Sequence, residues 1–233
     1  MIALPTFRSY SKKHLLFRGK LYLIAVPWVG ALGWTILFFL PTTRRIAINS
    51  TLEGGLIEVA TFVIAVVGVL AGLYYALSSD QPRHAKRFFV ALSVLLFVFA
   101  MEEVAWGQHL FGFEAPQFVR GINEQGELTI HNLKYISGTS ELPEFAISVI
   151  ASVLFHRIKG QLRIPTDLGP QIALCLILTA GDFAQDLLLR IGINLGGIGY
   201  FFDEIDEYTE LLIALTAAEY LVLVGRRLIT ERA

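Results

Sequence analysis

The chain has 233 residues, a formal net charge of −1, 55% hydrophobic residues and 17% charged ones. A mean hydropathy of +0.60 lies above the range of soluble globular domains. The lone cysteine, Cys175, rules out an intrachain disulfide.

Apolar runs of about twenty residues are long enough to cross a hydrocarbon core of ~30 Å as helices. They predict an all-α fold: a polytopic membrane helical bundle with six transmembrane helices in a single integral membrane domain, 1–233. The spans fall near 21–40, 55–78, 88–112, 143–157, 169–191 and 204–225. The first follows a basic segment with Arg8, Lys12, Lys13, Arg18 and Lys20, as a signal peptide would. The run is too long for a signal core and lacks a small-residue cleavage pattern near Pro41, so it is expected to stay as a helix. The second span carries Glu58 near its start and Gly68-x-x-x-Gly72, continued by Ala76, which predicts close helix approach inside the chain.

Most of the nineteen Lys and Arg residues fall on the side shared by both termini, the 79–87 loop and the 158–168 region. Both termini are therefore predicted to be cytoplasmic. That basic rim suits anionic lipid and calls for no nucleic acid. Of the twenty acidic residues, all but Asp80, Asp167, Glu219 and Glu231 then lie in or beyond the outer half of the membrane. Carboxylates inside spans are costly, and function is the default reading.

The third span starts near Phe88 and reaches Glu102 about 21 Å along the helix. Glu102, Trp106 and His109 share one face if the helix continues, and Glu103 points elsewhere. The outer loop 113–142 contains Pro116, Gly121, Gly126 and Gly138, but too many apolar residues for a linker, and is expected to fold over the helix ends. Within it Asn123, Gln125, Glu127, His131 and Asn132 are polar site residues, and helix after Gly126 would set Glu127 and His131 on one face. The fourth span, with an apolar core from Phe145 to Phe155, is the weakest. The fifth places Asp182, Gln185 and Asp186 together, with Arg190 one turn on, an arrangement suited to an Asp186–Arg190 pair. The sixth opens with Asp203, Glu204 and Asp206, which an N-terminal helix dipole would account for, and sets Asp203, Glu207 and Glu210 on one face, of which Glu210 lies too far in for the dipole. Glu219, near Arg226 and Arg227, is expected to be structural.

The residues Glu102-Glu103-x-x-Trp106-Gly107-Gln108 and Asn123-x-Gln125-Gly126-Glu127-x-x-x-His131-Asn132 resemble a signature of uncharacterised bacterial multi-pass membrane proteins. The resemblance covers about thirty residues. It implies a bacterial inner (cytoplasmic) membrane and no particular activity. The architecture is loosely similar to the alkaline ceramidase type of membrane hydrolase, which uses His, Asp and Ser around zinc among seven helices. This chain lacks that type's paired histidines on one late helix.

So many acids at one depth need either protons or a metal. A His/carboxylate site would suit a divalent metal such as zinc, iron or manganese, and an all-oxygen site would suit calcium. The leading expectation is a metal-dependent hydrolase acting on a lipid or other membrane-partitioned substrate at the extracytoplasmic side. Its metal ligands would be Glu102, His109 and His131 with Glu127 or Glu210. Glu103 or Asp182 would be general base, and Gln108, Asp203 and Glu207 would complete the polar site. Two other classes fit the same residues. One is a non-catalytic subunit or assembly factor, docking a protein partner on the acidic outer face. The other is a cation or proton translocator.

Overall fold

A computed structural model describes residues 17–52, 55–77, 83–123, 125–130, 133, 141–158 and 166–230. The described residues are overwhelmingly helical. Six long helices carry the fold: α1 (Phe17–Phe39), α3 (Leu56–Leu77), α4 (Arg83–Glu103), α7 (Glu141–Ile158), α8 (Gly169–Arg190) and α9 (Gly197–Thr230). Shorter helices α2 (Arg44–Thr51), α5 (Gln108–Phe111) and α6 (Gln117–Ile122) lie between them.

By length and composition, α3, α8 and the Gly197–Gly225 part of α9 can cross a membrane. A fourth crossing is formed if Ala85–Glu103 and Ala105–Phe111, which meet at a 65° bend, are one span. The apolar stretches Ala25–Phe39 and Phe145–Arg157 are shorter. The side-chain distribution also fits a membrane protein. On α3 the inward residues are Thr61, Ala65, Gly68, Gly72 and Ala76, mostly small. Its outward face shows Val59, Val63, Val67 and Leu70, all at least half exposed. An apolar outer face of this extent is costly in water and neutral in lipid.

Small residues set the central packing. A Cβ on Gly68 would stand 2.8 Å from Leu96 Cδ1 and 2.9 Å from Ala218 Cβ. On Gly72 it would meet Ser93 Oγ and, at 3.1 Å, Leu221 Cδ1. The expected close approach is therefore inside the chain, among α3, α4 and α9. Tyr75 continues the register by meeting Phe89 and Gly225. From Gly68 to Tyr75 the α9 partners rise in number and the α4 partners fall. Hence α9 runs parallel to α3, and α4 antiparallel. Followed back toward the start of α3, this register brings Glu58, Glu103, Glu207 and Glu210 to one level.

The other helices flank this core. α1 lies antiparallel to α9, with Trp34 and Phe38 against Phe201 and the Tyr208 hydroxyl donating to the Pro27 carbonyl at 2.9 Å. α7 and α8 are antiparallel, joined by Phe145 stacked on Phe183 at 5.0 Å and by Phe155 against Gly169. The short α2 was not foreseen from the sequence. Its Ser50 hydroxyl accepts a hydrogen bond from Trp34 Nε1 at 3.2 Å, tying it to α1.

Candidate functional site

The third span does not continue as a straight helix through Glu102–His109. After α4 ends at Glu103, Ala105 (φ 44°), Trp106 (φ 52°) and Gly107 (φ 92°) take left-handed backbone in a single 3-10 turn. Two non-glycine residues in that region carry strain. Hydrogen bonds to Glu102 hold the turn: Oε1 accepts from Trp106 Nε1 at 2.6 Å and Oε2 from the Ile130 amide at 2.6 Å. Glu102 thereby joins helix, turn and loop. Gln108 acts likewise, its Oε1 accepting from the Leu128 amide at 3.1 Å.

The loop is not helical after Gly126; residues 125–130 form bends. Buried Asn123 organises them. Its Oδ1 accepts from the amides of Gln125 (3.0 Å) and Glu127 (3.1 Å), and its Nδ2 donates to the Thr129 carbonyl at 3.0 Å. An isolated bridge pairs Asn123 with Leu133. This fold-back presents Glu127 to α5, where Glu127 Oε1 lies 2.8 Å from His109 Nε2. His109 Nδ1 lies 3.4 Å from Glu58 Oε1 on α3. The imidazole is therefore held between two carboxylates from two segments. His131 and Asn132, expected at the site, lie outside the described residues.

Glu103, Glu207 and Glu210 form the densest group. Each offers a carboxylate oxygen, and the three lie within 4.8 Å of one another. Glu103 is buried, at 7% exposed, and the other two are partly buried. Glu58 is close enough for its charge to act on Glu103, Glu210 and His109. The carboxylate cup and the braced histidine therefore share Glu58.

Two further polar contacts close the rim of this acidic end. Gln185 Nε2 donates to Asp203 Oδ1 at 2.6 Å, and the Thr51 hydroxyl donates to Glu204 Oε2 at 2.8 Å. Beside them a cavity of about 400 Å³ is lined by Thr51, Leu52, Gln125, Asp203, Glu204 and Glu207. Asp186 pairs with Arg190 at 2.7 Å, and Asp182 is buried on the same helix. Because α9 begins at Gly197, Asp203 and Glu207 lie beyond its first turn. The end dipole, which fades within one turn, does not account for them.

Of the residues singled out in the sequence, the structure gathers Glu103, Glu207 and Glu210, and separately His109 with Glu127. Glu102, Gln108 and Asn123 brace the loop. Glu58 was visible only as an acid at the right depth; its pairing with His109 depends on the bend after α4, which no spacing rule shows.

Three carboxylate oxygens converging at this distance repel one another unless a cation or protons intervene. An all-oxygen trio suits a hard divalent ion such as calcium, magnesium or manganese. Protein-family models, curated proteins and solved structures give no match to this chain.

Proposed function

We propose that this chain is an integral membrane enzyme that binds a divalent cation on Glu103, Glu207 and Glu210. In this reading it hydrolyses a lipid or other membrane-partitioned substrate at the outer leaflet. The observation that carries the reading is the convergence of those carboxylates from two helices within 4.8 Å, one level with a histidine braced by Glu58 and Glu127. The cation would polarise the scissile group and activate water. His109, with a carboxylate at each ring nitrogen, has no free lone pair and would orient Glu58, which would accept the proton from that water. The ligand set differs from the Glu102/His109/His131 set suggested by sequence spacing, since Glu102 is occupied with the loop.

The reading includes six crossings, α1 and α7 among them, with both termini cytoplasmic in a bacterial inner membrane. It rests there on the Lys/Arg asymmetry and on the alternating directions of the long helices. The test is elemental analysis of the detergent-purified chain beside Glu103→Gln/Glu210→Gln, followed by lipid turnover with a headgroup panel. About one divalent ion per chain, lost in the variant together with turnover, supports the proposal. A metal-free wild type that remains metal-free after soaking in calcium and manganese sinks it.

One observation favours a second reading. The cavity that Glu207 shares with the cup is lined by two further acids, Asp203 and Glu204. A basic segment of a protein partner would fit its charge, as expected of a subunit or assembly factor. Stoichiometric co-purification that Asp203→Asn/Glu204→Gln abolishes would support that reading over the enzymatic one.

A further inference from the structure

Along α8, Gln171, Cys175, Thr179, Asp182 and Gln185 recur at three- and four-residue spacing, and all are buried. One face of an otherwise apolar helix is thus polar from end to end. This face runs along α9. At the outer end Gln185 is bonded to Asp203, and midway Cys175 Sγ lies 4.0 Å from Thr216 Oγ1.

The opposite end is different. Gln171 is fully buried, and neither its amide nitrogen nor its amide oxygen makes a hydrogen bond. It faces Glu219 on α9, whose Oε2 is likewise buried without one. Glu219 lies about 14 Å beyond Glu210 along the helix, so this place is separate from the carboxylate cup. Nearby packing is apolar, with Phe155, Leu168 and Ile172 against Tyr220 and Leu223.

Buried polar atoms without partners are costly in such surroundings. A direct bond from Gln171 to Glu219 would satisfy the amide nitrogen and one carboxylate oxygen but leave the amide oxygen open. A bare cation would suit the two oxygens and be repelled by the amide hydrogens. One water meets all three demands. It can donate to Gln171 Oε1 and to Glu219 Oε2 and accept from Gln171 Nε2, the usual number of bonds for a buried water.

We propose that Gln171 and Glu219 form a second polar site that binds one water molecule, through which the Glu219 carboxyl exchanges its proton. In each exchange the carboxyl O–H donates to the water oxygen and breaks as an O–H bond forms on the water. The water passes a proton of its own on toward solvent, and a solvent proton returns to the carboxylate by the reverse steps. The chain would then hold one exchangeable carboxyl on α9 apart from the cup, Glu219, which hydrolysis at the cup does not require and proton movement does.

Infrared difference spectroscopy on the full chain in nanodiscs, at acid pH in H2O and D2O, tests this. A protonated-carboxyl band missing in Glu219→Gln should shift on transfer to D2O as fast as solvent is exchanged. In Gln171→Leu, which removes both amide contacts, the band should move and its exchange should slow at least tenfold. Should that variant fail to fold, Gln171→Asn, which withdraws the amide by one carbon, should slow exchange as well. A band that persists in Glu219→Gln, that ignores D2O for hours, or that exchanges equally fast in the folded Gln171 variant overturns the proposal.

Discussion

The middle and the acidic end of the α3–α4–α9 contact are built on opposite chemistry. In the middle, Gly68, Gly72, Ser93 and Ala218 bring three backbones together because almost nothing projects between them. At the acidic end the same helices project Glu58, Glu103, Glu207 and Glu210 toward one another. The first region is held by dispersion and close fit. The second opposes association unless something positive enters it. The acids are therefore brought together by the glycine seam and not by mutual attraction. It follows that damage to the seam should not depend on cation, whereas damage to the cup should change sign with it.

The largest effect is expected at the seam. Gly72→Leu drives a side chain into Ser93 and Leu221. Overpacking typically costs about 1–3 kcal/mol and more where backbones flank the site. The thermal midpoint in detergent should fall by the same amount with chelator or with saturating divalent cation. A midpoint that is unchanged, or that cation restores, would mean that the seam does not set the register.

Next comes the cup. Saturating calcium or manganese should raise the midpoint of the native chain, by about 2.7 kcal/mol at a hundredfold excess over Kd. Glu210→Gln should melt higher than the native chain in chelator, since one member of a like-charged trio is gone. It should also lose the rise on adding cation. A variant less stable than the native chain in chelator would show that Glu210 is held by a partner other than a cation.

A smaller, local loss is expected at the strained turn. Glu102→Ala removes the bonds to Trp106 and to the Ile130 amide. Hydrogen bonds to a charged group contribute roughly 1.5–3 kcal/mol when buried, and less here, where the contacts are exposed. The readouts are a red shift of Trp106 emission and faster proteolysis within 113–142, with the global midpoint nearly unchanged. A global loss equal to that of Gly72→Leu would show that the turn is part of the core.

What the sequence made legible follows the range of each interaction. Helices α3, α8 and α9 could be read from apolar runs, and the Gly68/Gly72 approach from its spacing, because both are periodic and local. Asp186–Arg190 could be read for the same reason. That acids of α3, α4 and α9 share one level was legible as well. The bracing of His109 was not. It depends on a backbone turn at Ala105–Gly107 in which two residues without glycine's freedom adopt positive φ, against their local preference. A continuous helix puts Glu102, Trp106 and His109 on one face; the turn keeps the Glu102–Trp106 contact but sends His109 toward Glu58 and Glu127. Gln171 escaped notice because an uncharged amide on an apolar helix carries no signal until its burial and missing partners are seen.

The smallest effect belongs to the pair that the sequence showed most plainly. Arg190 and Asp186 meet at 2.7 Å with the arginine about half exposed, at the solvent end of α8. Exposed pairs at this spacing contribute about 0.3–0.5 kcal/mol, and salt screens them. Arg190→Ala should move the midpoint by no more than that at low ionic strength and by nothing measurable at high salt. It should also leave the cation-induced rise intact, because Asp186 is not among the cup's carboxylates. If the variant instead abolished that rise, Asp186 would have to be placed with Glu103, Glu207 and Glu210, and the boundary drawn here between seam, cup and rim would move.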